Sequence, residues 1–391
     1  MSDPRPETLI KPFGSNHLTP LLLAGEALQA EQSKASQLTK VTIDSRMIND
    51  LIMLGIGGFT PLTGFMSYYD WKHVCEEMQL ENGLFWPIPI TLSVDKQTAN
   101  QIKVHQEIAL VDNKGALYAT MKVEEKYTPD KKWECQNIYK TTDDNHPGVK
   151  RTLSEGEINL AGPIKVLSEG NFAKEFKGVY LKPAETRKRF AEKGWKSTVA
   201  FQTRNPMHRS HEYLVKIALE MYDGVLIHSL LGAVKEGDIP AAVRIKAITA
   251  LIDNYFPPNS VIQAGYPLDM RYAGPREALL HALFRQNFGC NYLIIGRDHA
   301  GVGSYYGPFD AQKIFNEIPH DALQIKPLNM EATFWCHLCQ AMTTCRTCPH
   351  DESDHFAISG TKLRQQLRDG EPIPEYFSRP AVISILRQHG E

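Results

Sequence analysis

The chain has 391 residues, more than one hydrophobic core usually organises, so two or three domains are expected. With 42% hydrophobic and 23% charged residues and no low-complexity tract, its composition is that of an ordinary globular protein and excludes a disordered or fibrous one. A formal net charge of −2 leaves no global basic field for a nucleic acid, although a small anionic substrate needs only a few local cations.

Met1 to His17 contains no apolar stretch of signal-peptide length, and no later stretch is of membrane-spanning kind, so no membrane partner is expected. Seven cysteines, three scattered (Cys75, Cys135, Cys290) and four crowded between Cys336 and Cys348, fit a reduced, cytoplasmic protein. Short apolar runs and turn signals make the first part of the chain β-rich. Pro87–Leu92 and Glu107–Val111 read as strands, and the turn Asp112-Asn113-Lys114-Gly115 leads into an alternating strand over Ala116–Val123, a hairpin. Thr141 to Gly148 reads as a polar loop.

From about Gly170 short apolar runs alternate with helical patterns, the signature of a parallel α/β architecture. Strands are expected over Ser197–Phe201, Gly224–His228, Ser260–Ala264 and Asn291–Ile295, with helices over Glu212–Tyr222, Val243–Tyr255 and Arg276–Gln286. In such sheets sites lie at the carboxyl ends of strands. From about Met330 the alternation stops, and a cysteine cluster leads into a small, mostly helical tail.

The densest polar run, Gln202-Thr203-Arg204-Asn205-Pro206-Met207-His208-Arg209-Ser210-His211, follows the first of these α/β strands. If a helix starts near Pro206, His208 and His211 share one face and the first turn offers backbone N–H groups to an anion. Arg204 adds a planar fork of donors matched to a tetrahedral oxyanion. A solvated capping loop is the plainer alternative, but packing does not call for so many hydrogen-bonding side chains in one turn. A second run, Gly296-Arg297-Asp298-His299-Ala300-Gly301-Val302-Gly303, follows another strand of the same sheet; its glycines admit close backbone approach, and Arg297 and His299 are candidates to meet phosphates. In a third run, Ile358 to Arg364, Ser359 or Thr361 caps the next helix, while Lys362 and Arg364 are candidates to approach a phosphate chain.

Gln202–His211, Met270–Ala278 and Gly296–Gly301 resemble the signature blocks of the ATP sulfurylase family, and Gly232–Asp238 is similar to a fourth block, with Val234, Lys235 and Glu236 where the family more often has Thr-Lys-Pro. The resemblance spans nearly the whole chain. It implies a PUA-like β-rich domain over residues 1–168, a nucleotidyltransferase-type, Rossmann-like α/β domain over 169–329 and a small C-terminal domain over 330–391. With no P-loop of the Gly-x-x-x-x-Gly-Lys-[Ser/Thr] kind, the expectation is the stand-alone form without a kinase domain, and the family suggests a homo-oligomer, a dimer being favoured. The implied reaction joins ATP and sulfate into adenylylsulfate (APS) and pyrophosphate, reversibly. The resemblance assigns sulfate to Gln202, Arg204 and the backbone of Ala300, and the reacting phosphate to Thr203 and Asn205. It sets His208 and His211 against the β- and γ-phosphates, and places Gln202, Asn205, Gly296, Arg297, Asp298, His299 and Met330 at the nucleotide. Mg²⁺ is expected to enter with ATP, held by phosphates and water.

Cys336-x-x-Cys339-x5-Cys345-x-x-Cys348 has the paired spacing of a zinc site, and some bacterial members of the family carry a zinc-binding segment there. His350 or His355 is able to replace one of the later cysteines, and a site filled by Cys and His is structural. Two rival functions stand beside this reading. A nucleotidyltransferase for another small acceptor would share His208-x-x-His211 but not Gln202-x-Arg204. An RNA-binding module is disfavoured by the balanced charge.

Overall fold

The computed structural model describes residues 8–234, 238–357 and 360–390; Lys235, Glu236, Gly237, Ile358 and Ser359 lie outside them. In the N-terminal part the strands β1 (Thr39–Thr42), β2 (Gly64–Phe65), β3 (Leu92–Val94), β4 (Glu107–Val111), β5 (Leu117–Lys122), β6 (Glu125–Tyr127) and β7 (Ile158–Val166) form one seven-stranded sheet. The long strand β7 is its spine, pairing antiparallel with β2, β3, β5 and β6. The expected hairpin is β4–β5. Its turn is locked because Asp112 Oδ1 accepts the N–H groups of Lys114 and Ala116, both at 2.8 Å, while Gly115 takes φ +83°. Pro87–Leu92 is not the strand the apolar pattern implies, because Pro87 and Pro89 have no N–H to give a ladder; only Leu92 enters β3.

The second sheet consists of β8 (Thr198–Thr203), β9 (Gly224–Leu230), β10 (Val261–Tyr266), β11 (Tyr292–Ile295) and β12 (Lys326–Asn329), all parallel, in the order β10-β9-β8-β11-β12. Every residue of β9 is buried, as expected of a strand covered on both faces. One face packs against the helices Arg209–Met221, Ala241–Tyr255 and Pro380–Gly390 through Val215, Ala218, Ile248, Leu251, Val382 and Leu386. The other packs against the helix Pro275–Asn287, in which Arg276 and every later residue are buried. Leu279, Leu283 and Phe284 of that helix share one continuous core with Leu51, Phe59 and Trp86 of the N-terminal part. The chain runs outward from β8 through β9 to β10 and resumes with β11 on the other side of β8. Strand order therefore reverses between β8 and β11, which opens a crevice at their carboxyl ends.

In the C-terminal part the mostly helical tail read from sequence follows a small sheet that the sequence did not announce. The cysteine segment builds its own antiparallel sheet from β13 (Thr333–Cys336), β14 (Ala341–Thr344) and β15 (His355–Ala357), before the helices Gly360–Arg368 and Pro380–Gly390. Phe334, Trp335, Thr343 and Thr344 are the aromatic and β-branched residues that favour a pleated strand. Arg379 then fastens the tail to the helix Arg209–Met221, donating from Nε and Nη2 to the Glu212 carboxylate at 2.9 and 2.7 Å. Among the described residues no helix is long and apolar enough to cross a membrane.

Candidate active site

The two polar turns met in the sequence both end strands at the crevice. In the first, Thr203 Oγ1 accepts the Asn205 N–H at 3.1 Å and donates to the Asn205 carbonyl at 2.8 Å, closing a tight loop around Arg204. The Arg204 guanidinium lies over the Tyr272 ring, 5.0 Å from its centroid, and its Nη1 is buried without a hydrogen-bond partner among the described residues. Gln202 donates from Nε2 to the Tyr266 hydroxyl at 3.2 Å. Asn205 Oδ1 accepts from Arg364 Nη1 at 3.4 Å, and Arg364 Nη1 also lies 3.5 Å from Asp238, so the Gly360 helix reaches this turn. Lys362 instead sets its ammonium 4.1 Å above the Phe356 ring.

The helix begins at Arg209, not near Pro206: His208 is its extended N-cap residue, and the Arg209 N–H is donated to the Phe377 carbonyl at 3.2 Å. His211 Nδ1 accepts the His208 N–H at 3.4 Å, which puts the His211 proton on Nε2. The two rings stack with centroids 3.8 Å apart. Burial lowers the His211 pKa to about 4, and burial followed by the neighbouring His211 holds His208 well below the usual histidine range. Both are therefore neutral at pH 7.

In the second turn Gly296 has open space where a Cβ would stand, leaving its backbone accessible, and Asp298 and Ala300 take left-handed φ of +53° and +58°. The Ala300 carbonyl accepts the Gly274 N–H at 3.1 Å, and the Met330 N–H at the end of β12 donates to Ile295 at 3.0 Å. Behind the turn stands a buried relay. Glu277 accepts the N–H groups of Arg271 and Ala273 at 2.9 and 3.0 Å, His281 Nε2 is 3.5 Å from Glu277, and His281 Nδ1 is 3.0 Å from His299 Nε2. Burial alone would raise the Glu277 pKa, but His281 and the Arg271 N–H outweigh it, so Glu277 stays ionised. An ionised Glu277 fixes the His281 proton on Nε2. His281 Nδ1 then accepts, and the His299 proton sits on Nε2. Burial lowers His281 to about 4, and burial together with His281 keeps His299 well below its usual range. His299 is thus a neutral imidazole and not the cation a phosphate contact suggests.

Three residues that sequence reasoning left unassigned stand at this crevice. Tyr272 carries Arg204, and Tyr266 holds Gln202. Arg244 is 1% exposed and spends Nε on the Ile239 carbonyl at 2.9 Å, with Nη1 and Nη2 finding no hydrogen-bond partner among the described residues. Burial brings its pKa down to about 10, so it remains charged. The signal for Arg244 was an arginine amid Ala241-Ala242-Val243-Ile245, where an amphipathic pattern asks for an apolar residue. For Tyr272 no local signal existed beyond its block.

In the C-terminal sheet the structure gathers Cys336, Cys339, Cys348 and His350, whose ligand atoms all lie within 4.8 Å of one another. Cys339 Sγ is 3.8 Å from Cys348 Sγ and 3.2 Å from His350 Nδ1, and Cys336 Sγ is 3.4 Å from His350 Nδ1. Tetrahedral zinc with Zn–S near 2.3 Å places ligand atoms about 3.5–3.8 Å apart, so the set fits that ion. Cys345 stands outside the group, exposed, with Sγ 3.8 Å from Glu331, while His355 stacks on Phe334 with centroids 3.7 Å apart and touches the group's edge, its Nε2 3.3 Å from Cys348 Sγ.

A parallel sheet with a strand-order reversal, with an arginine and two neutral histidines in the turn and helix start that follow β8, forms the crevice in which doubly wound α/β proteins bind ligands. The ATP-sulfurylase family model matches residues 177–389, and a PUA-like domain model matches residues 10–169. A sulfate adenylyltransferase of Thiobacillus denitrificans is 60% identical, over 97% of this chain and 94% of its own length. One of Pelodictyon phaeoclathratiforme is 58% identical, over 98% of this chain and 95% of its own. Among solved structures, the hexameric APS kinase from Thiobacillus denitrificans superposes with a TM-score of 0.76 at 25% identity, covering 97% of this chain and 69% of that one. The chain belongs to the ATP sulfurylase family.

Proposed function

We propose that the chain transfers the adenylyl group of ATP to sulfate, forming adenylylsulfate and pyrophosphate, and runs the reverse reaction at the same site. The observation that carries the reading is the buried Arg204 Nη1 without a partner among the described residues at the β8–β11 crevice, a donor whose burial is costly unless an oxyanion meets it. Sulfate is fully ionised at neutral pH and needs no general base. The obstacle is repulsion between a dianion and the phosphate chain, so catalysis is positioning and charge stabilisation. Gln202, Arg204 and the Ala300 backbone hold sulfate, with Thr203 and Asn205 beside the α-phosphate. A sulfate oxygen attacks the α-phosphorus, the bond from that phosphorus to the bridging oxygen breaks, and pyrophosphate leaves with the electron pair. His208 and His211 face the β- and γ-phosphates, where His211 Nε2–H donates to the developing charge. Gly296, Arg297, Asp298, His299 and Met330 line the nucleotide, which enters with Mg²⁺.

Recognition of a tetrahedral dianion by shape and charge extends to molybdate. The mixed anhydride of molybdate and AMP hydrolyses at once, so molybdate with MgATP is expected to give continuous release of AMP and pyrophosphate. A coupled pyrophosphate assay showing no molybdate-stimulated release overturns the sulfate-site reading.

Zinc is proposed at Cys336, Cys339, Cys348 and His350, where it would tie the β13–β14 hairpin to the Pro349–His350 segment as a structural ion. Metal analysis under reducing conditions is expected to find about one zinc per chain. Replacing Cys336 and Cys339 together by serine is expected to remove it and lower Tm, with most activity kept at low temperature. Protein purified without chelator and free of zinc rules the site out. The same set of reduced thiols supports a cytoplasmic location.

A further inference from the structure

We propose that the N-terminal part of the chain shapes the sulfate pocket through one residue: Tyr272 is a positioning residue for Arg204, and His146 holds Tyr272 in place. The inference rests on the reading of Arg204 as the sulfate-binding arginine.

Tyr272 lies in the turn between β10 and the Pro275–Asn287 helix and takes φ +59°, a left-handed conformation that a bulky aromatic residue adopts only when its surroundings enforce it. Those surroundings are explicit. The Tyr272 carbonyl is met by His146 Nε2 and by the Tyr306 hydroxyl, both at 3.1 Å. His146 caps the helix Pro147–Ser154, its Nδ1 accepting the N–H groups of Gly148 and Val149 at 3.1 and 3.3 Å. With Nδ1 so occupied the proton must sit on Nε2, so His146 donates to the Tyr272 carbonyl. On either side of Tyr272 the turn is pinned again. The N–H groups of Arg271 and Ala273 go to the two oxygens of Glu277, and Arg271 Nη2 spans both oxygens of the buried Asp50 at 2.7 Å. Gly148 presses so closely that a Cβ there would stand 2.5 Å from the Arg271 carbonyl oxygen.

Asp50, His146 and Gly148 all precede the parallel sheet in sequence, and none of them is among the residues assigned to substrate. Their joint effect is to fix one turn, and the side chain that turn projects is the ring 5.0 Å from the Arg204 guanidinium. A ring face attracts a guanidinium and sets its plane, and the plane decides whether two parallel N–H groups can meet two oxygens of one anion. The N-terminal part thereby acts on sulfate recognition without touching sulfate.

The experiment measures sulfate and ATP kinetics separately for Tyr272→Leu, Tyr272→Phe, His146→Asn and Arg204→Ala, with melting curves for each. Tyr272→Leu removes the ring face and is expected to raise KM for sulfate about fivefold or more, with KM for ATP within about twofold of wild type. Tyr272→Phe keeps the face and is expected to restore most of the sulfate affinity. His146→Asn keeps an N-cap acceptor but is too short to reach the Tyr272 carbonyl, so sulfate KM is expected to rise while Tm moves little. The proposal is overturned if Tyr272→Leu and His146→Asn keep wild-type sulfate KM while Arg204→Ala loses it, which leaves the sulfate reading intact. It is overturned equally if the variants raise both KM values together, or if Tyr272→Phe is as impaired as Tyr272→Leu. An Arg204→Ala enzyme with unchanged sulfate KM sinks the underlying reading itself. Should Tyr272→Leu not fold, His146→Asn and Tyr272→Phe decide alone.

Discussion

Arg204→Lys is expected to lower kcat/KM for sulfate by at least about tenfold, and Arg204→Ala by more, with ATP binding close to wild type. Lysine keeps the charge but offers a point donor in place of coplanar paired N–H groups. Charge-assisted hydrogen bonds are worth roughly 1.5–3 kcal/mol each, or about tenfold to a hundredfold in rate. Lysine also forfeits the flat contact with the Tyr272 ring that sets the guanidinium plane. His208→Ala and His211→Ala should show the other balance, losing kcat through weaker stabilisation of pyrophosphate with a smaller effect on sulfate. Steady-state kinetics with each substrate varied in turn separate the cases. A lysine variant indistinguishable from wild type, or one impaired mainly in ATP binding, moves Arg204 from the sulfate site to the nucleotide site.

Acid is expected to unfold this protein early, with stability falling as pH drops from about 6.5 towards 4. His211 and His281 have folded pKa values of about 4 against 6.5 for a free histidine, because burial disfavours the imidazolium; His208, His228 and His299 are depressed for the same reason. A base depressed on folding binds fewer protons folded than unfolded between those values. The stability it contributes is whole above pH 6.5 and is lost as pH falls towards the folded value. At about 1.4 kcal/mol per unit, His281 alone forfeits roughly 3 kcal/mol by pH 4, a large share of the 5–15 kcal/mol that holds an ordinary domain together. Glu134 acts in the opposite sense, since burial raises its pKa to about 7 and favours the folded form in acid, and burial raises Asp50, Glu155 and Asp298 likewise; Glu31, Glu212 and Glu277, held low by their partners, add instead to the loss in acid. Urea melts across pH 7.5 to 4.5 test this. A flat profile between pH 6.5 and 5 would show that the buried rings are not held neutral.

Much of the α/β part was readable because its strands are runs of apolar residues that few other structures accommodate. β9 was expected from Gly224–His228 and spans Gly224–Leu230, and the helix expected from Val243 to Tyr255 starts at Ala241. Reading failed where backbone chemistry overrode side-chain pattern. Pro87 and Pro89 spoiled an apolar strand, and a histidine in place of the usual Ser, Thr, Asp or Asn at the N-cap hid the start of the Arg209 helix. The polar turns were visible as dense hydrogen-bonding runs. The residues that aim them were not, because Tyr272 and His281 act through contacts far along the chain, and a buried glutamate in a helix, such as Glu277, looks in sequence like a solvated one. In the cysteine cluster, spacing alone could not separate Cys345 from His350; the β13–β14 hairpin does so by turning Cys345 outward.

The continuous core has a consequence for how the molecule bears strain. Two sequence modules meet at the Pro275–Asn287 helix, and that helix has no wet side: Leu279, Leu283 and Phe284 belong to the same apolar mass as Phe59 and Trp86. Asn287 Nδ2 donates to the Gly58 and Thr60 carbonyls at 2.9 and 3.1 Å, and Arg276 Nη1 to the Val74 and Pro87 carbonyls at 2.8 and 3.1 Å, so both of its ends are also stitched into the first module. A hinge between the modules would have to tear that seam, breaking buried hydrogen bonds and wetting hydrocarbon at once. The β-rich module is therefore a fixed bed against which the crevice is set.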